Sequence, residues 1–347
     1  MKKLVDLMKN YVITGGAGFI GSNFVELLFN KESDIHVTVL DKLTYSGNMD
    51  NIKRFERRKD FEFVYGDICD EEIVKQVVRD ANYVINFAAE VAVDRSIDNQ
   101  GSFLKTDIWG VYTLLEGIRK YSSDIETFVQ ISTDEVYGHI LEGSFSESHE
   151  LKPRNPYAAS KLGGERLAYS YYQTYNLPII MTRASNTYGP YAFPEKVIPL
   201  FVTNILEGKQ VPLYGEGKQV RDWIYVEDHC EAIYHLLKIG KKGEVYNVSA
   251  NEECSNIEMT RMILNKLKVD ESYIKFVADR PGHDFRYSLN IDKISKTGWQ
   301  PKYELKKGLD KTIQWYIDNE NYWKPLRKSL GEKYINGFWG ERKNVTN

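Results

Sequence analysis

Thr14-Gly15-Gly16-Ala17-Gly18-Phe19-Ile20-Gly21 follows the apolar run Tyr11-Val12-Ile13 and leads into residues 22–29, whose apolar positions recur at helical spacing. In a strand, glycine turn and helix of this kind, a pyrophosphate can approach bare backbone at Gly15, Gly18 and Gly21. It then rests on the unpaired N–H groups of a helix N-terminus. Glycines alone are weak evidence, since a purely structural turn also uses them. Their place between a strand and a helix makes dinucleotide binding the better reading.

Outward from this turn, apolar runs at 11–14, 37–41, 61–66, 83–88, 128–132 and 179–183 read as strands. Between them, 22–29, 71–78, 110–120 and 157–175 read as helices. The alternation predicts a parallel sheet covered on both faces, which explains runs such as Val37-Thr38-Val39-Leu40 with no polar alternation. After Tyr188-Gly189-Pro190 the rhythm changes, and residues 191–223 mix aromatic, proline and charged side chains. A helix at 228–239 and a strand at 244–248 then lead back to the first sheet. The expected architecture is α/β: a Rossmann-type doubly wound parallel sheet with a smaller C-terminal α/β substrate lobe. Residues 1–188 form the NAD-binding domain, with 226–250 returning to it. Residues 189–330 form the smaller lobe and 331–347 a surface tail. A chain of 347 residues is long enough for this division.

A net charge of -3 gives no electrostatic footprint for nucleic acid, and no lysine block suits an anionic membrane. No apolar run approaches the ~18 residues of a membrane span. Cys69, Cys230 and Cys254 are odd in number and lack metal-type spacing, so they read as reduced thiols in a cytoplasmic protein with no metal. Residues 1–9 carry no cleavable leader pattern, and without secretion Asn344-Val345-Thr346 is a chance match to a glycosylation acceptor.

Asp41 ends the second strand about 20 residues past the glycine turn, where an acid accepts hydrogen bonds from a ribose and repels a 2′-phosphate. That favours NAD over NADP, although Lys42 beside it pulls the other way. Asp67, ending the third strand, is placed either for an adenine amino group or to cap the helix from Glu71.

The strand at 128–132 runs into Thr133-Asp134-Glu135. Successive strand side chains point to opposite faces, so Asp134 and Glu135 converge only if the backbone bends there. The carboxyl end of a parallel strand is also where ligands of such sheets bind. Tyr157 and Lys161 stand four apart on a helical pattern, hence on one face. An ammonium beside a phenol favours the phenolate, a base for a hydroxyl proton.

These segments resemble the extended short-chain dehydrogenase/reductase superfamily, and within it the dTDP-glucose 4,6-dehydratase family. The likeness runs nearly end to end, through Phe87-Ala88-Ala89-Glu90, Thr133-Asp134-Glu135-Val136-Tyr137-Gly138, Ser185-Asn186-Thr187-Tyr188-Gly189-Pro190, Arg221-Asp222-Trp223 and Asp279-Arg280-Pro281-Gly282-His283. The Thr-Asp-Glu triplet discriminates, because epimerases and decarboxylases of the superfamily share the Tyr/Lys pair but usually lack both acids.

The resemblance implies a lyase of deoxysugar biosynthesis with NAD as cofactor, and a homodimer built through the helices at 110–120 and 157–175. It implies that Tyr157 deprotonates the sugar 4-hydroxyl while hydride passes from C4 to NAD. Lys161 then holds the cofactor ribose and Thr133 bonds the 4-oxygen. Glu135 removes the C5 proton, a protonated Asp134 delivers its proton to the departing 6-hydroxyl, and hydride returns to C6. Around the cofactor it implies Gly15, Gly18, Phe19, Ile20, Gly21, Asp41, Lys42, Thr44, Asp67, Ile68, Ala88, Ala89, Thr106 and Ser132, with Tyr157 and Lys161. Around the nucleotide sugar it implies Glu90, Asn186, Glu195, Lys196, Pro212, Tyr214, Arg221, Asn256, Arg280, His283 and Tyr287.

The family usually has Glu-Ser/Thr-His-Val-Asp where this chain has Glu90-Val91-Ala92-Val93-Asp94. The lost hydroxyl and imidazole bear on the hexose and its phosphates, so UDP-glucose or a modified hexose is the alternative substrate. A reading from another class is a non-catalytic NAD-binding sensor or scaffold, and the intact triplet and Tyr/Lys pair speak against it.

Overall fold

The computed structural model describes residues 8–279 and 283–339, with side chains through residue 330. Its strands in chain order are β1 (Lys9–Thr14), β2 (Ile35–Asp41), β3 (Phe61–Tyr65), β4 (Tyr83–Asn86), β5 (Thr127–Thr133) and β6 (Ile179–Ala184). They continue with β7 (Asn186–Tyr188), β8 (Val211–Tyr214), β9 (Val220–Tyr225), β10 (Val245–Val248), β11 (Glu253–Ser255) and β12 (Ile274–Val277). Seven of them form one sheet in the order β3-β2-β1-β4-β5-β6-β10. Every neighbouring pair in it is parallel. The chain winds outward in one direction from β1 and then in the other from β4. Ligands of such sheets sit where those directions part, beyond the carboxyl ends of the strands.

The expected alternation of strand and helix follows from burial on both faces. Val37, Val39 and Tyr11 pack into one apolar cluster with helices Phe19–Lys31 and Val226–Ile239, while Val12, Leu40 and Val84 pack into another. β4 stops at Asn86, two residues short of the expected strand. Phe87 and Ala88 bend across the glycine turn there, and a Cβ on Gly15 would lie 2.6 Å from the Ala88 nitrogen.

Residues 191–223, which showed no clear period, resolve into the helix Val197–Leu206 and the strands β8 and β9. The helix is buried nearly all round, so no polar stripe marks its period. Its proline, Pro199, sits in the first turn, where the missing N–H breaks no ladder. β9 joins β11 and β7 in a three-stranded sheet and β8 pairs with β12. Side chains such as Phe201, Tyr316 and Trp323 fill the core of this lobe. The helix Glu320–Trp339 carries the backbone past residue 331, where the surface tail was expected to begin. Asn344 lies outside the described residues.

Candidate active site

The carboxyl ends of β1, β4, β5 and β6 open on a cleft of about 410 Å³. Gly15, Gly18, Phe19, Ile20 and Gly21 form its floor, with Asp41, Lys42, Thr44, Asp67, Ile68, Ala88, Ala89 and Thr106 around one end. Gly15 adopts φ +67°, and a Cβ on Gly21 would come within 2.5 Å of the Gly15 carbonyl oxygen. The turn therefore closes only with glycine, leaving its backbone bare toward the cleft. Gly18 is the N-cap of helix Phe19–Lys31, with no side chain occupying the helix end. A pyrophosphate fits that cradle.

Asp41 is buried, and its carboxylate accepts N–H bonds from Ala17 (3.0 Å) and Leu43 (2.8 Å). Each oxygen keeps a second lone pair for a ribose hydroxyl. Burial raises its pKa, against those two backbone bonds. Lys42, the residue that argued for a 2′-phosphate, turns its ammonium to Glu90 (3.3 Å), Thr106 (3.2 Å) and Asp67 (3.6 Å). Its charge is spent on acids of the protein, which suits NAD. Asp70 caps the helix from Glu71 through the N–H groups of Glu72 and Ile73, so Asp67 does not serve as that cap.

At the end of β5 the backbone turns at once into a 3₁₀ turn, Asp134–Tyr137, capped by the Thr133 hydroxyl. This bend, required for the two acids to converge, gives them opposite surroundings. Asp134 is buried; its Oδ1 accepts from the Thr133 hydroxyl (3.0 Å), and its Oδ2 has no hydrogen-bond partner among the described residues. Burial first, then the neighbouring Glu135 charge, push its pKa well above the ordinary carboxyl value. Glu135 is only half-buried and is held by Asn155 Nδ2 at 2.9 Å, with the Tyr287 hydroxyl 3.4 Å away. Asn155 also caps helix Pro156–Tyr175, which places Tyr157 and Lys161 in its first turns.

One electrostatic expectation is corrected. The Tyr157 phenol is not pulled down in the protein alone but raised well above its ordinary value, by burial and then by Glu135, Asp107 and Asp134. The Thr133 hydroxyl opposes the shift. Burial lowers Lys161, against the fields of Asp107 and Glu165. Burial together with the fields of Glu135, Asp107 and Asp134 disfavours a further anion there.

Of the positions assigned to a nucleotide sugar, Asn186, Glu195, Lys196, Arg221 and Tyr287 line the cleft. The Arg221 guanidinium lies 4.4 Å over the Tyr287 ring and donates to the carbonyls of Asp284 (2.9 Å) and Val220 (2.8 Å). Glu195 accepts from Tyr45 (2.6 Å) and pairs with Arg95 (3.1 Å). Glu90 is placed differently from expectation: its carboxylate faces Lys42 and Thr106 on the cofactor side, outside the cleft lining.

Pro212, Tyr214, Asn256 and His283 are also absent from that lining and form a neighbouring group. Pro212 and Tyr214 lie on β8, the His283 ring is 5.9 Å from that of Tyr214, and Gln219 joins Asn256 to Asp279, the His283 partner. Arg280 lies outside the described residues. Sequence reasoning missed Asn155, Asp107 and His229. Asn155-Pro156 was visible as a helix start, but its bond to Glu135 needed the fold. His229, in the cleft wall, is kept neutral by burial, with a pKa near 4, and its Nδ1 lies 2.8 Å from the Thr187 hydroxyl.

The sequence profile of the family described as GDP-mannose 4,6 dehydratase matches residues 12–312. A dTDP-glucose 4,6-dehydratase of Streptomyces niveus is 45% identical over 321 residues, 91% of this chain and 95% of the relative. A low-salt glycan biosynthesis protein of Haloferax volcanii is also 45% identical, over 89% of this chain and 99% of its own. Among solved structures, a dTDP-glucose 4,6-dehydratase from Streptomyces venezuelae with NAD and a thymidine diphosphate ligand superposes with a TM-score of 0.89 at 43% identity. That match covers 91% of this chain and 99% of the other.

Proposed function

The chain belongs to the GDP-mannose 4,6-dehydratase family, and on that premise we propose that it is an NAD-dependent hydro-lyase acting on a nucleoside-diphosphate glucose. Its substrate is dTDP-glucose and its product the 4-keto-6-deoxy sugar, as the names of its relatives suggest. Bound NAD supplies a hydride acceptor for C4, the donor that later reduces C6, and a positive ring that favours a nearby phenolate.

The residues divide the remaining work. Tyr157 takes the proton of the 4-hydroxyl, and Thr133 donates a hydrogen bond to the 4-oxygen. Lys161 holds the cofactor ribose. The ketone at C4 acidifies C5, whose proton passes to Glu135 and returns from it to C5 when C6 is reduced. Asp134 gives its proton to the 6-hydroxyl, which leaves as water. The observation that carries this reading is the contrast between adjacent acids, Asp134 buried with one oxygen unpartnered among the described residues and Glu135 half-buried and held by the Asn155 amide. Neighbouring carboxyls in opposed environments serve as acid and base. The C-terminal lobe, residues 189–330, holds the nucleotide sugar in this proposal.

Purified protein given dTDP-glucose should release the 4-keto-6-deoxy sugar; carbon dioxide or a C4 epimer as product overturns the reading. UDP-glucose or a modified hexose is the second reading, favoured by Val91 and Ala92 in the cleft lining, where Ala92 holds φ +73° ahead of helix Val93–Asp98. Turnover of dTDP-glucose faster than UDP-glucose decides for the first, and the reverse for the second.

The acting form is a homodimer. Leu104 and Trp109, in the helix Gln100–Leu104 and the turn that lead into helix Val111–Tyr121, are 52% exposed, and Tyr175, at the end of helix Pro156–Tyr175, is 49% exposed. Large apolar side chains exposed along one pair of helices suit a second copy. Sedimentation should give twice the chain mass, and a single-chain mass refutes it. Nucleotide-sugar and NAD chemistry supports a cytoplasmic location, which cell fractionation tests. Among the described residues, no helix is long and apolar enough to cross a membrane.

A further inference from the structure

Helix Gln100–Leu104 passes into helix Val111–Tyr121 through a π-helical turn, Lys105–Gly110. Such turns weaken the helical ladder and recur at functional sites, where they re-aim a side chain. Here the turn aims Asp107 inward, leaving it 3% exposed. Its Oδ1 accepts the Glu90 N–H at 3.0 Å and its Oδ2 the Ser160 hydroxyl at 2.6 Å. The first bond reaches the loop beside the cofactor cradle, and the second reaches the helix of Tyr157, one residue before Lys161. The Asp107 carbonyl oxygen rests against Gly164, where a Cβ would lie 2.2 Å from it. The carboxylate is thus fixed between the cofactor loop and the Tyr157 helix.

The charged and titratable groups facing Asp107 are Lys161 and Tyr157 from helix Pro156–Tyr175, and Glu90 from the loop. Glu90 is itself paired with Lys42. Asp107 and Glu165 are the acids whose fields support the buried Lys161 ammonium. Glu165 is already forked onto Arg183 at 2.9 and 2.6 Å. The hydrogen-bond donors on Asp107 are neutral, so its charge is left to act on Lys161.

Resting on the reading that Tyr157 and Lys161 serve the redox steps, we propose that Asp107 is a positioning residue: its carboxylate ties the helix of Tyr157 to the cofactor loop and makes Lys161 more basic. Burial raises the Asp107 pKa to about 6, against the Lys161 charge and the Ser160 bond. Above that pH the carboxylate is present and accepts both the Glu90 and the Ser160 bond. As pH falls through it, Asp107 takes up a proton and gives up acceptor capacity, so the tie between the cofactor loop and the Tyr157 helix weakens and activity falls on the acid side.

Asp107→Asn keeps the size and an acceptor for the Glu90 N–H while removing the charge. It should lower kcat about tenfold above pH 7, abolish the acid limb near pH 6 and leave KM for the nucleotide sugar within about twofold. In protein freed of nucleotide by charcoal, acetylation of Lys161 by acetic anhydride at pH 8, read by peptide mass spectrometry, should run about tenfold faster in the variant. That corresponds to a lysine pKa lower by about one unit. Ser160→Ala, which keeps the charge but removes a bond favouring it, should retain the limb and move it to higher pH.

Unchanged kcat, limb and Lys161 labelling in Asp107→Asn overturn the proposal. If that variant does not fold, an unmoved limb in Ser160→Ala overturns it. Absence of turnover in the parent would defeat the dehydratase reading, while the labelling comparison would still decide the role of Asp107.

Discussion

Glu135→Gln should cut dehydration by roughly 10²–10⁴-fold, the usual worth of a positioned acid or base, while leaving oxidation at C4 intact. The substitution keeps the side-chain volume and an amide oxygen that can accept from Asn155, which now bonds Glu135 at 2.9 Å. What it removes is the capacity to take the C5 proton. Oxidised sugar and reduced cofactor should therefore accumulate together, visible as the near-ultraviolet absorbance of reduced nicotinamide on mixing with substrate. A variant that turns over like the parent would assign the C5 proton to another group.

Tyr157→Phe should cost a similar factor, roughly 10²–10⁴-fold, but with no reduced-cofactor absorbance at any time after mixing. The block here comes before hydride leaves C4, so the two variants separate the redox half from the elimination half. Burial and the surrounding carboxylates raise the Tyr157 phenol, so the parent should gain rate as pH rises until the base form is populated. Accumulation of reduced cofactor in Tyr157→Phe would show that another base serves the first step.

The parts of this site that were legible in the sequence are those set by local sterics. The glycine turn could be read because Gly15 and Gly21 leave no room for a Cβ, whatever surrounds them. The bend at Asp134 could be anticipated because alternation along a strand forbids convergence without it. What could not be read depends on elements far apart in sequence. Tyr157 and Lys161 announce each other at four residues' spacing, but the phenol is raised by burial, by Asp134 and Glu135 from the turn after β5, and by Asp107 from the π turn. Helix Val197–Leu206 hid for a different reason, since burial on all sides erases the polar stripe that a period search needs. The positions beyond the cleft, Pro212, Tyr214, Asn256 and His283, came only from family likeness, and the fold gathers them beside β8 without bringing them into the lining.

In the proposed reaction one site oxidises C4, eliminates water across C5 and C6, and reduces C6 with the same hydride. dTDP-glucose deuterated at C4 tests it most directly, mixed with unlabelled sugar and read by mass spectrometry and proton NMR of the product. The proposed chemistry predicts deuterium at C6 of the 4-keto-6-deoxy sugar, with no crossover to unlabelled molecules. Deuterium lost to solvent, passed between molecules, or retained at C4 of an epimer that has kept its 6-hydroxyl would contradict it.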